Sequence, residues 1–311
     1  MKADKHTDKT LAIELFGMGR WVLWAMAVPC VVFVVMFSIV PLFGWAYAFI
    51  KYQPGNTFFN SEFVGLYYFR KIFTDSELIL ALRNTLMFSL LSYAASPLPM
   101  VFAIALSEVK SESYRKLVQS VTTFPNFISW IIIYAISLVA FSVDDGFVNK
   151  FLSNFNLIEK PLNLLADKNA VWILQTCLGL WKGLGFGAII YFAAITSIDP
   201  ELLDAASIDG AGRFRRIWHI KVPFLLPTFL ILFLLGIGNL LSTNFEQLYT
   251  FYNPIVHYTI QTIDLYTYKI GIEQGNYSLS TAVGISRTFI SVILLFSANA
   301  LSRKLSGRVI I

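Results

Sequence analysis

Charge is what this sequence has least of. Of its 311 residues, 14% are charged and 56% are apolar, against about 25% charged in soluble domains. That deficit points to lipid rather than water as the surrounding medium. Cysteine is nearly absent. Cys30 and Cys177 are the two present; both fall inside apolar stretches, where a disulfide framework or thiolate metal site has no support, so both read as packing residues. The three histidines, His6, His219 and His257, are scattered, and none belongs to an H-E-x-x-H arrangement, so hydrolytic metal chemistry has no footing. His219 falls within a basic interfacial segment. No Gly-Lys dipeptide occurs, which removes the phosphate-cradling G-x-x-x-x-G-K-S/T loop. Internal repeats and low-complexity tracts are also missing, and no loop between apolar stretches exceeds about 35 residues, below the roughly 50 of the smallest domains. One membrane domain is the economical reading.

What is there is a set of long apolar runs. Trp21–Ile50, Asn84–Ser107, Leu117–Val143 and Val222–Phe245 carry no charge, and each exceeds the roughly 20 residues a spanning helix needs. Asn169–Ile198 and Gln274–Ser302 read the same way except for one central cation each, Lys182 and Arg287. The expectation is an all-α integral membrane protein with six transmembrane helices. It divides into an N-terminal segment 1–20, a transmembrane domain 21–302 and a tail 303–311. A small-residue site at Ala25-Met26-Ala27 invites a cleavable signal, but too short an apolar run precedes it and the run continues well beyond, so the first stretch reads as a span.

The net charge of +5 raises nucleic acid as a partner, and its distribution answers otherwise. With both termini cytoplasmic, the inner segments hold 14 cations (Lys2, Lys5, Lys9, Arg20, Lys110, Arg115, Lys116, Arg213, Arg215, Arg216, Lys221, Arg303, Lys304, Arg308) and the outer segments eight. That is the asymmetry of the positive-inside rule, and no nucleic-acid partner is expected. In the first outer loop, Gln53-Pro54-Gly55-Asn56 reads as a turn, and the aromatic, basic run Phe63–Phe73 reads as an interfacial anchoring helix.

Prolines at 97, 99 and 125 interrupt the second and third spans and free backbone groups that neighbouring helices must satisfy. Gly179, Gly183 and Gly187 recur every four residues in the fourth span and predict a smooth face for close helix packing. A central intramembrane cation is a pathway candidate by default, so Lys182, beside Trp181, and Arg287 are assigned to the solute path, the alternative for Lys182 being a structural ion pair or a lysine satisfied by backbone carbonyls. Sugars need hydroxyl-binding groups interleaved with aromatic faces. Asn239, Asn244, Glu246, Gln247 and Tyr249, around the outer end of the fifth span, supply that mixture. If Lys182 and Arg287 face the path, an acidic oligosaccharide suits it better than a neutral one.

Residues 199–222 form the most explicit local pattern. Asp199 can cap a helix whose first residue is Pro200, with Glu201 in the first turn, where negative charge is favoured. Gly210 supplies the freedom to end that helix, and a basic segment from Arg213 to Lys221 leads into Pro223. An elbow that transmits motion into the fifth span is expected, the alternative being a short amphipathic helix resting on the inner leaflet.

Asp204-Ala205-Ala206, three residues, Gly210, nine residues, Ile220, one residue, then Val222-Pro223 resembles the EAA loop of ABC importer permeases. Val64-Gly65-Leu66, Arg83-Asn84-Thr85-Leu86, Pro125–Trp130, Trp181-Lys182-Gly183, Ile189–Ile195 and Thr281–Gly284 extend the resemblance over nearly the whole chain. They look like the polysaccharide-type, lipoprotein-associated permeases of carbohydrate importers, in the maltose-permease-like class. The resemblance implies a type I ABC importer permease fold in a bacterial cytoplasmic membrane. It also implies a related second permease subunit, two cytoplasmic ATPase subunits that bind ATP and magnesium, and an extracytoplasmic binding lipoprotein. No cofactor is expected on this chain, and it is not an enzyme. Glu201, Asp204, Ala205, Ala206, Asp209, Gly210 and Arg213 take the ATPase-docking role by the same resemblance. Two departures stand out: Asp204 replaces the usual glutamate, keeping its charge, and the terminus Arg308–Ile311 lacks an aromatic finish. The alternatives are an ABC permease for a non-sugar solute, a secondary transporter driven by an ion gradient, and a membrane enzyme or scaffold. A proton-coupled transporter would use intramembrane carboxylates, and the six apolar runs hold no Asp or Glu.

Overall fold

The computed structural model describes residues 19–55 and 57–306. The N-terminal segment and tail expected at 1–20 and 303–311 lie largely outside the described residues.

Among the described residues, five helices are long and apolar enough to cross a bilayer: Trp21–Phe49, Ser76–Ser107, Val171–Thr196, Arg213–Ile237 and Tyr277–Ala300. They correspond to the expected spans 1, 2, 4, 5 and 6. The third span is Glu112–Phe127 followed by Trp130–Ala140, bent by 102° where they meet. Pro125 therefore marks a break rather than a kink. Its 3₁₀ turn, Phe124–Phe127, ends at extended Ile128, and Ser129 caps the next helix by accepting from the amide of Ile132. Outside the helices, one two-residue antiparallel pairing occurs among the described residues, Ile50 with Phe63 and Lys51 with Glu62.

Three buried clusters hold the helices together. On the elbow side, Ala103, Ile104, Ala188, Tyr191 and Leu225 join spans 2, 4 and 5. In the middle, Phe88, Trp130, Ile133, Val171, Leu248 and Phe251 join spans 2, 3 and 4 to the segment after span 5. At the far side, Ala48, Tyr68, Leu78, Tyr266 and Ala282 bind the end of span 1 to spans 2 and 6. Tyr68 thus places the short helix Tyr67–Ile72 partly in the core, where the sequence implied an anchor alone; Tyr67 and Phe73 of the same segment remain exposed.

Many large apolar residues face outward, Phe43 78% exposed and Phe289 71%, as expected where the solvent is hydrocarbon. Cys30 and Cys177 are exposed as well, so neither packs inside this chain. In span 4, the tight approach comes at Gly185, where a Cβ would lie 2.3 Å from the carbonyl oxygen of Thr122. Gly183 has open space around it and Gly187 is in ordinary contact with Pro99. The four-residue glycine row was the expected packing face; the closest contact falls on the adjacent face.

The segment after span 5 is the least regular part. It leaves the helix at Gly238, forms the short helices Phe245–Thr250, His257–Ile260 and Ile263–Tyr268, and returns into the bundle. Irregular backbone at membrane depth must find polar partners inside the protein. Fully buried Asn84 provides them, donating from Nδ2 to the carbonyls of Tyr258 (3.1 Å) and Gln261 (2.9 Å). Arg83 donates to the Asn84 Oδ1 and to the Tyr258 carbonyl, and Thr85 Oγ1 accepts from the Ile263 amide at 2.9 Å. The Arg83-Asn84-Thr85 triplet staples this returning segment to span 2.

Candidate functional site: a polar cavity and a tethered elbow

The elbow follows its local rules closely. Asp199 accepts from the amide of Glu201 at 2.9 Å, and the helix Pro200–Ile208 carries proline at its first turn. At its far end Gly210 adopts φ +76°, and the amide of Ala211 donates back to the Ala206 carbonyl at 2.9 Å. This is the left-handed helix stop that glycine makes without steric cost. Leu202, Asp204, Ala205 and Asp209 are exposed, and Ile208 is 86% exposed. A short helix thus presents an unpartnered apolar and acidic face, with Ala206 half-buried behind it.

From Arg213 the chain runs as one helix into span 5, through a π-helical turn at Ile217–Lys221. Pro223 sits inside this continuous helix, just after that turn, so the second limb of the elbow is an extension of the span, joined to the helix Pro200–Ile208 through the turn at 209–212.

A residue that sequence reasoning missed ties the elbow down. Glu108, one residue beyond span 2, accepts from Arg213 Nε at 2.8 Å and from Lys221 Nζ at 2.5 Å, while its backbone carbonyl accepts from Arg213 Nη2 at 2.7 Å. Lys221 is only 6% exposed and also donates to Ser107 Oγ. Burial opposes ionisation of Glu108, but the hydrogen bonds and positive charge of Lys221 and Arg213 outweigh it and hold its carboxyl below the usual carboxylate range. Arg216 donates to Ser207 Oγ at 2.8 Å, closing the elbow on itself. No local signal in the sequence marks Glu108, since its partners lie over a hundred residues away.

A cavity of about 370 Å³ opens between spans 2 and 4 and the segment that follows span 5. Ser92, Gln175, Asn239, Thr243, Asn244 and Gln247 supply its polar lining, and Phe88 and Tyr93 supply aromatic faces. Gln247 donates from Nε2 to both the carbonyl (2.7 Å) and the side-chain oxygen (2.8 Å) of Gln175, which fixes two amides at the wall. A second cavity of about 370 Å³ lies between spans 5 and 6 and shares Asn239 and Ser242 with the first; Arg287 borders it.

Of the residues assigned to the path, Asn239, Asn244 and Gln247 line the first cavity and Arg287 the second. Trp181, Lys182, Glu246 and Tyr249 line neither. Trp181 is 49% exposed, Glu246 is exposed, and Tyr249 packs on Phe245 and Tyr268. Lys182 reaches the break in span 3. Its ammonium donates to the carbonyls of Pro125 (3.2 Å), Asn126 (2.9 Å) and Ile128, with the Trp130 ring centre 5.5 Å away. Three donors on one nitrogen meet three carbonyls at the break, of which that of Pro125 also accepts from the amide of Ile128 at 3.1 Å.

Arg287 is also paired. It donates from Nη1 to Asp264 Oδ1 and from Nη2 to Ser242 Oγ. The acid comes from the returning segment, outside the six apolar runs, which themselves hold no carboxylate.

A core of membrane helices, an exposed elbow continuous with span 5 and polar cavities between the spans describe a transport subunit. The model of the family described as "binding-protein-dependent transport system inner membrane component" matches residues 95–310. The chain belongs to this family. It is a multi-pass permease subunit, and the ATPase of such importers resides on a separate polypeptide. It is 36% identical to the protein LplB of Bacillus subtilis, over 92% of this chain and 89% of that one. Identity is also 36% to the polygalacturonan/rhamnogalacturonan transport system permease protein YteP of the same organism, over 96% and 92%. Among solved structures, a chain of a bacterial alginate ABC transporter in complex with an alginate pentasaccharide-bound periplasmic protein superposes with TM-score 0.84. It shares 31% identity over 93% of this permease and 96% of that chain. The type I importer permease fold expected from the elbow and the six spans is therefore the fold found.

Proposed function

We propose that this permease is one half of a heterodimer that imports an oligosaccharide or polysaccharide fragment. An extracytoplasmic binding lipoprotein delivers the cargo, and two cytoplasmic ATPase subunits, which hold the ATP and magnesium, drive it. The observation that carries the cargo reading is the first cavity: fixed amides and hydroxyls beside two aromatic rings, the combination that carbohydrate hydroxyls and ring faces require. The carbohydrate cargo named for YteP and for the alginate transporter supports it. For the second subunit, the support is span 1, whose most apolar stretch has none of its residues buried against this chain and has a full face to offer a partner.

Orientation follows from charge. Both termini and the elbow lie in the cytoplasm, where the exposed face of Glu201, Leu202, Asp204, Ala205, Ile208 and Asp209 meets an ATPase groove. Ala206 and Gly210 shape that helix and its end, and Arg213 anchors it. An ion-gradient mechanism loses its best carboxylate, since Asp264 is held by Arg287.

The test is ATP hydrolysis by the four-component complex, with neutral oligosaccharides, uronate oligosaccharides and glycerol 3-phosphate as stimulants. Stimulation by one of the oligosaccharides is expected. Stimulation by glycerol 3-phosphate alone would assign a non-sugar cargo.

A further inference from the structure

Both cavities are free of uncompensated charge, and one residue is responsible. The first has no ionisable side chain among its lining residues except the phenol of Tyr93, and the second has one cation, Arg287. That guanidinium is 27% exposed, and Asp264, 15% exposed, faces it directly. Asp264 is itself held in place: its Oδ2 accepts from the amide of Thr243 at 2.8 Å and from Thr243 Oγ1 at 3.0 Å. Thr243 lines the first cavity, and Ser242, the other partner of Arg287, lines both. The pair therefore sits where the two cavities meet.

We propose that Asp264 determines the charge selectivity of this half of the path. By neutralising Arg287 it leaves a wall that reads hydroxyl groups and discriminates neither for nor against carboxylates; the substrate class this half selects is the uncharged part of an oligosaccharide. Lys182 lines neither cavity, its ammonium being directed to the carbonyls at the break in span 3. The inference rests on the carbohydrate reading above.

The experiment is uptake into proteoliposomes carrying the whole transporter. A neutral and a uronate-bearing oligosaccharide of equal length, both accepted by the binding lipoprotein, are compared for wild type, Asp264→Asn, Arg287→Gln and the double variant. Since every other component is constant, a change in the uronate-to-neutral ratio belongs to this chain. Asp264→Asn exposes a cation and is expected to raise the ratio by about tenfold, the order of one unit charge acting through a partly screened cavity. Arg287→Gln exposes an anion and lowers it, and the double variant returns to the wild-type ratio with transport retained. An unchanged ratio in both single variants overturns the proposal. So does loss of both sugars in all three variants, which assigns the pair a structural role only. If wild type takes up neither sugar, the carbohydrate reading itself fails and this inference falls with it.

Discussion

At the scale of single residues, the structure gives Lys182 structural work that the sequence could not distinguish from solute contact. Lys182 looked like a pathway residue because an ammonium at mid-span has few other excuses. The excuse is the backbone of Pro125, Asn126 and Ile128. Lys182→Ala leaves these carbonyls without that donor, at roughly 1–3 kcal/mol for each that finds no other. The expected outcome is a less heat-stable protein in which uptake of neutral and acidic oligosaccharides falls by the same factor. A selective loss of acidic sugars would return Lys182 to the path. Glu108 makes the opposite point: nothing local marks it, yet it receives both Arg213 and Lys221. Because its folded-state carboxyl is held below the ordinary value near 4.5, the stabilisation it provides is complete above that pH and disappears as pH falls through the lowered value. Glu108→Gln is expected to remove this acid-side loss from a thermal-stability profile and to lower transport per ATP hydrolysed. A variant profile that follows wild type at every pH would contradict the tether.

At the scale of elements, legibility tracked how local the physics is. The elbow helix was readable to the residue because Asp199, Pro200 and Gly210 act on their immediate neighbours. Breaks were harder. Pro125 announced irregularity, but whether a proline kinks a span or turns it by 102° depends on whether a distant lysine caps the exposed carbonyls. The returning segment after span 5 was read as a simple outer loop, since its anchors, Asn84 and Thr85, sit some 175 residues away along the chain. Ala206 tests the elbow helix directly. Proline there removes a backbone donor and clashes with the preceding turn, at about 3 kcal/mol in a helix interior. Ala206→Pro is expected to insert normally, as judged by membrane fractionation, while oligosaccharide-stimulated uptake drops below about a tenth of wild type, the fold-change of 1.4 kcal/mol or more. Full uptake would mean that this helix does not carry the stroke.

At the scale of the whole molecule, the number of spans and the fold were visible in the long charge-free runs, because a bilayer imposes a length that composition records. The arrangement of helices around the cavities was not, since lipid-facing and cavity-facing positions are both rich in apolar residues. Four of the eight candidate pathway residues, Asn239, Asn244, Gln247 and Arg287, line a cavity; Lys182, Trp181, Glu246 and Tyr249 have the right chemistry at the wrong azimuth or depth. What unites the parts is a mechanical route: the exposed helix Pro200–Ile208, the Glu108 tether to span 2, the unbroken helix Arg213–Ile237, and the cavity walls those spans form. Motion applied at the elbow moves spans 2 and 5 together; span 2 borders the first cavity directly, and span 5 leads into the segment 239–248, which forms its opposite wall.

The most direct test of that account is oligosaccharide uptake by proteoliposomes containing both permease subunits and the binding lipoprotein, measured with the ATPase pair and ATP, and again with the ATPase omitted but a proton or sodium gradient imposed. The account predicts uptake in the first condition and none in the second. Uptake that persists on the ion gradient alone would contradict it.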